Sequence, residues 1–321
     1  MMNIILLIVG FALILGGANY MTDGSAAIAK RLGVSDFVIG LTIISIGTSA
    51  PELVVSLIAA IEGAPSMSIG NIVGSNIFNI LMIIGVVALI RPIHVPTNIL
   101  TGDGLWMFIS AAALFVVGMA PELGAGQRVL TRVASIMFLL FFLLFMRNAF
   151  ANARNVEPGR EESTQVRQMP LWRSLLLLLA GLGALVLGGE WFVDGATGIA
   201  RALGWSDALI GLTILAIGTS FPELAASVAA ALKGLSGLSV GTVIGSCIFN
   251  IFFVLGVAGS ITPMAFGNIG PVDLGVLLGA SILFLICGFL VGHRVIKRSE
   301  GALMVAIYVA YMFYLYVNIA A

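Results

Sequence analysis

The sequence predicts an all-α polytopic membrane protein, with ten transmembrane helices arranged as two inverted five-helix repeats. Three observations predict it. Of 321 residues, 60% are hydrophobic and only 9% are charged, with a mean hydropathy of +1.13. Soluble domains run about 45–50% apolar and about 25% charged, so this chain cannot cover a water-facing surface. The apolar runs are about 20 residues long, which favours helices over the roughly 10-residue alternating strands of a barrel. Only helices and closed barrels satisfy their backbone in lipid. Finally, the chain is duplicated. Gly47-Thr48-Ser49-Ala50-Pro51-Glu52-Leu53 returns as Gly218-Thr219-Ser220-Phe221-Pro222-Glu223-Leu224, and Gly74-Ser75-Asn76-Ile77-Phe78-Asn79 returns as Gly245-Ser246-Cys247-Ile248-Phe249-Asn250. Both recur at a spacing of 171 residues, and the match runs ungapped from Gly17 to Pro92. About half of the positions are identical, the mark of an internal repeat.

The expected spans are 3–24, 37–61, 67–90, 103–120, 127–147, 171–195, 208–232, 238–261, 272–292 and 300–318. Met1-Met2-Asn3 lacks the positive region of a secretory signal, so the first run reads as a retained span. Breaks carry Gly, Pro and charge, as in Glu62-Gly63-Ala64-Pro65 and Arg91-Pro92. Phe138, Phe141, Phe142 and Phe145 give the fifth span a packing or lipid-facing character. The polar stretch Arg147 to Pro170 is too short to fold alone and reads as a linker. The domains are therefore 1–146, a linker over 147–170, and 171–321. Net charge is +0, which offers no basic face to nucleic acid. Cys247 and Cys287 lie in apolar runs and read as small buried hydrophobes.

With the amino terminus outside, the inside loops hold Lys30, Arg31, Arg91, Arg147, Arg154, Arg160, Arg167, Arg173, Lys233, Arg294, Lys297 and Arg298. The outside loops hold only Arg128, Arg132 and Arg201. The positive-inside rule therefore puts both termini outside and the linker in the cytoplasm. Five helices per repeat is an odd number, so the second repeat enters from the opposite side. The duplicated phrases then face each other near the midplane, as in many secondary transporters.

Glu52 and Glu223 fall near the middle of the second and seventh spans. An isolated carboxylate there would take up a proton. Two that converge are tolerable around a cation, and intramembrane ionisable groups are functional by default. Pro51 and Pro222 remove a backbone donor, so carbonyls around Ser45 to Thr48 and Ala216 to Thr219 are expected to lose helical partners. Gly47 and Gly218 let the backbone unwind there. Thr48, Ser49, Thr219 and Ser220 add hydroxyls, although in a membrane such groups often bond only their own helix. Ser75 and Asn79 share one helix face at i and i+4, as do Ser246 and Asn250. Gly70, Gly74, Gly241 and Gly245 are read as close-packing residues. All the candidate ligands are hard oxygens, which suit Ca²⁺ and alkali cations rather than Zn or Cu. Two ionised Glu carry charge −2, which one Ca²⁺ neutralises.

These paired phrases in a ten-span chain resemble the cation/calcium antiporter superfamily, and within it the prokaryotic sodium/calcium exchangers. The resemblance implies two inverted repeats, alternating access, Ca²⁺ and Na⁺ as substrates, a bilayer as the only evident partner, no cofactor, no enzyme activity and a prokaryotic cell (inner) membrane. It also implies ligands. Glu52 and Glu223 match central carboxylates shared by both ions. Thr48 and Thr219 match donors of backbone oxygen to Ca²⁺ and of oxygen to neighbouring Na⁺ sites. Ser49, Ser75 and the Ser45 carbonyl match an inner Na⁺ site; Ser220, Ser246 and the Ala216 carbonyl match an outer one. Asn79 and Asn250 match the middle position. Potassium-dependent relatives carry Asp where Asn250 stands, which implies independence from K⁺. Cys247 replaces the Asn found at Asn76 in the first repeat. The large regulatory domain of animal exchangers is missing, and so is the signature of proton-coupled relatives. Coupling to H⁺ or K⁺, and a cation channel, stay as alternatives. A hydrolase would need a base, and His94 and His293 lie in expected loops.

Overall fold

The computed structural model describes residues 2–95, 97–120, 128–152, 169–203, 216–291 and 294–320. Within them the chain is helical throughout, apart from two short strand pairs. Eight helices are long and apolar enough to cross a membrane: Met2–Leu32, Pro65–Ile90, Ile99–Met119, Arg132–Ala151, Leu171–Ala202, Ser236–Ile261, Pro271–Phe289 and Arg298–Val317. A ninth is a broken one, Asp36–Thr48 followed by Ala50–Ile61, bent by 43°. The break falls where Pro51 sits in the first turn of the second segment, a position that tolerates proline because its N–H has no partner there. Phe221–Leu232 repeats that segment with Pro222. The start of the expected seventh span, 208–215, lies outside the described residues, as do His293 and most of the expected linker. The fifth helix continues through Asn152, past the expected linker boundary at 147.

The first and sixth helices are longer than expected, at 31 and 32 residues. At about 1.5 Å per residue each exceeds the roughly 30 Å of hydrocarbon, which tilt accommodates. They pack against each other antiparallel. Gly10 meets Gly188, Gly17 meets Gly181, and Gly24 meets the Ser174 carbonyl. A Cβ on Gly181 would stand 2.4 Å from the Met21 backbone nitrogen, so only glycine allows this approach.

Four further contacts join the two halves. Ile93–His94 pairs antiparallel with Val295–Ile296, and Val129–Leu130 with Met264–Ala265. Arg298 donates to the Ile90 carbonyl (3.3 Å) and Arg132 to the Ile261 carbonyl (3.2 Å). Each arginine thus supplies a cation to the last carbonyls of the other half's third helix, where the helix dipole favours it. In the core, Gly241 and Gly245 press on the Phe37 and Leu41 carbonyls, so the expected close packing is met at both. Phe138, Phe141 and Phe142 pack on Phe252, Phe249 and Phe253, which makes the fifth helix a packing element on that side. Both cysteines are free and buried.

The third and eighth helices carry the greatest burial, 78% and 89% of their apolar stretch, against 28% for the first and sixth. Both loosen into a π-helical stretch, at Phe78–Ile83 and Phe249–Val254, beginning one residue before Asn79 and Asn250. Such π-turns gather at functional sites because they re-aim side chains.

Candidate cation site

The bend at Pro51 and its copy at Pro222 put a carboxylate in the first turn of each second segment. Glu52 and Glu223 are fully buried. Each is reached from the other half: Ser49 Oγ donates to Glu223 Oε1 at 2.8 Å, and Ser220 Oγ donates to Glu52 Oε1 at 3.3 Å. Two side chains one turn apart on one helix therefore clasp their counterparts on the other. Ser75 stands beside Glu52, and Thr48 and Ser246 beside Glu223.

The buried oxygens that lack a donor matter most. Among the described residues, Glu52 Oε2, Glu223 Oε2, Ser75 Oγ, Ser246 Oγ, Asn79 Oδ1 and Asn250 Oδ1 are buried with no hydrogen bond. Native interiors leave few such groups unpaired, and each costs about 1–3 kcal/mol when left so. These six oxygens lie on four helices, two of which carry the paired carboxylates. Among the described residues no three His, Cys, Asp or Glu gather at this site or at any other.

The remaining expected ligands are placed differently. The Ser45 carbonyl keeps its helical partner, the Ser49 N–H, at 3.0 Å, and faces the Thr48 hydroxyl at 3.5 Å. Pro51 deprives residue 47, four positions earlier, rather than Ser45. At the second break the Ser220 N–H bonds the Ile217 carbonyl instead (3.1 Å), one residue closer than the first-repeat pattern. Ala216 opens the described part of that segment. The Thr48 hydroxyl bonds back to the Ile44 carbonyl (3.0 Å), which occupies its proton and leaves its oxygen lone pairs. Thr219 makes a long contact to Asn71 Oδ1 (3.5 Å), while Asn71 Nδ2 donates to Ser56 Oγ (3.1 Å).

Sequence reasoning passed over Asn71 and Asn76. Asn76 is fully buried, donates to the Cys247 carbonyl (3.1 Å) and accepts from Asn250 Nδ2 (3.1 Å). The signal was a carboxamide inside a duplicated phrase whose copy differs. Asp273 caps the helix Pro271–Ile286 through the Gly270 N–H (2.7 Å) and accepts from Tyr311 (2.7 Å). Asp23 pairs with Lys233 at 2.8 Å.

Helices around a buried, paired-carboxylate pocket define a multi-pass membrane cation transporter rather than an enzyme. Comparison with known proteins gives the family. The family described as sodium/calcium exchanger protein matches residues 2–151 and 173–317, and the chain belongs to it as a membrane cation antiporter. It is 34% identical to the sodium/calcium exchanger MaX1 of Methanosarcina acetivorans, over 98% of both chains. It is 36% identical to CaxA of Alkalimonas amylolytica, over 97% of this chain and 98% of that one. The solved structure of the sodium-calcium exchanger NCX_Mj, soaked with Na⁺ and Ca²⁺, superposes with a TM-score of 0.83 at 34% identity, covering 97% of each chain.

Proposed function

We propose that this chain exchanges Na⁺ for Ca²⁺ by alternating access, without K⁺, through one site built from two inverted five-helix repeats. The observation that carries the reading is the set of buried carboxylate, hydroxyl and carboxamide oxygens without donors. A cation satisfies many acceptors at once, which water or a side-chain donor cannot do in so tight a pocket. Oxygen-only coordination of flexible geometry favours Ca²⁺ over Mg²⁺, which dehydrates reluctantly. Na⁺ ions on the same oxygens would then displace Ca²⁺ by competition. Glu52 and Glu223 are the shared ligands in this reading. Ser49, Ser75, Ser220, Ser246, Thr48, Thr219 and the carbonyls of Ser45 and Ala216 serve flanking positions, and Asn79 and Asn250 the middle.

Inversion has its own support. The loop after the third helix pairs with the loop before the tenth, and the loop before the fifth with the loop after the eighth. Each pair must lie on one face of the membrane. With five spans per half that requires opposite orientations of the two repeats. The pairing of Asp23 with Lys233 and of Arg298 with the Ile90 carbonyl joins loops that positive charge assigns to the cytoplasm. Independence from K⁺ rests on Asn250, a neutral group where K⁺-dependent exchangers of the superfamily carry Asp.

The experiment is ⁴⁵Ca uptake into proteoliposomes under imposed Na⁺, K⁺ or H⁺ gradients. Uptake driven by outward Na⁺ alone is the expected result. Uptake without any counter-ion would mean a channel, and uptake driven only by K⁺ or H⁺ would replace Na⁺ as the coupling ion.

A further inference from the structure

The two carboxamides of the pocket stand at equivalent positions, yet only one is held. Asn76 Nδ2 donates to the Cys247 carbonyl at 3.1 Å, and Asn76 Oδ1 accepts from Asn250 Nδ2 at 3.1 Å. The polarity of this chain has one solution. A backbone carbonyl can only accept, so Asn76 must turn its nitrogen to Cys247. Its oxygen then faces Asn250, which must answer with nitrogen. The Asn250 oxygen is left on the far side, buried and without a donor among the described residues.

The first repeat has no such chain. Residue 247 is the counterpart of Asn76, and there a cysteine stands, whose thiol is a weak donor and a weak acceptor. Both amide atoms of Asn79 are buried without a conventional hydrogen bond, and the carboxamide lies beside the Cys247 thiol, which holds it only weakly. Its neighbour one turn earlier, Ser75, stands beside Glu52.

We infer that Asn76 is a positioning residue, which locks the Asn250 carboxamide with its oxygen toward the cation, while Cys247 leaves Asn79 able to present either oxygen or nitrogen. The inference rests on the reading of this pocket as a cation site. A reversed carboxamide would aim its N–H₂ at the cation and repel it, so a fixed orientation removes a competing state before the ion arrives. Asn79 keeps that competing state. With the pocket empty its nitrogen can serve an acceptor that lacks a donor, and with a cation present its oxygen can join the ligands.

A double-mutant cycle tests this, read as equilibrium binding of ⁴⁵Ca to the purified chain in nanodiscs. Asn76→Ala is expected to weaken binding about tenfold, with Asn250→Ala at least as weak. The double variant should bind no more than about twofold more weakly than Asn250→Ala alone, because Asn76 acts through the group already removed. Additive losses would assign Asn76 a merely structural tie between helices and overturn the inference. Wild-type affinity in Asn76→Ala would overturn it too. Binding is measured without a counter-ion gradient, so a chain that binds ⁴⁵Ca as expected but fails Na⁺-coupled uptake would sink the exchange reading and leave this one standing.

Discussion

The first and second repeats treat the same phrases alike at the carboxylates and differently one turn further on. Ser49 reaches Glu223 and Ser220 reaches Glu52 by the same contact, made twice in opposite directions. Beyond them Asn76 holds Asn250, while Cys247 offers Asn79 nothing equivalent. At the membrane edge Lys233 pairs with Asp23, but the residues at the corresponding positions of the other repeat are Glu62 and Asp194, which are both acidic. The halves are thus symmetric at the buried carboxylates and divergent at the neighbouring carboxamides and at the membrane edge. A transporter that cycles between two related states needs the first property. The second allows those states to differ in energy.

Perturbing the symmetric part should cost most. Glu52→Gln and Glu223→Gln are each expected to lower Na⁺-driven ⁴⁵Ca uptake by at least about 100-fold with normal insertion, because each removes a charge the ion needs. Retention of exchange in only one of them would break the comparison at its centre. Acidification should inhibit next, since protons compete with cations for the same two buried carboxylates. Uptake measured from neutral to mildly acidic pH should fall steadily; a flat profile would remove the carboxylates from the rate.

Changes to the divergent part should be smaller. Asn250→Asp cannot donate to Asn76 and adds a charge at the middle position. It should alter Na⁺ and K⁺ preference several-fold while shifting Ca²⁺ binding less, checked by flux in each monovalent ion. Smallest of all is Glu62→Lys, which gives the first repeat the charge that Lys233 carries in the second, and so a charge opposite to that of Asp194, the repeat counterpart of Asp23. An exposed pair is worth at most about 1 kcal/mol, so a slight gain in thermal stability is expected, read from the unfolding midpoint. A large change in either direction would mean that the edge pairs do more than tether.

Much of this arrangement was legible in the chain because a bilayer allows few exceptions. A carboxylate at Glu52 cannot sit in hydrocarbon by chance, and repetition at Glu223 named its partner. Proline at 51 and 222 marked the starts of the second segments. What could not be read were contacts that depend on the register between helices. Asn76 differs in role from Asn79 only because the eighth helix brings the Cys247 carbonyl within 3.1 Å. The Ser45 carbonyl keeps its partner because proline removes only the bond of the residue four places earlier, so the expectation of freed carbonyls reached two residues too far back. The lengths of the first and sixth helices were underestimated because polar ends such as Lys30 and Arg31 continue the helix beyond the lipid.

The most direct test is a crystal soaked in Ca²⁺, or in the heavier Sr²⁺, and examined by anomalous scattering. One strong peak should lie about 2.3–2.6 Å from an oxygen of Glu52 and an oxygen of Glu223 together. A peak bound by only one of these side chains, or none between them in a crystal with the carboxylates apart, would contradict a site shared by the two halves.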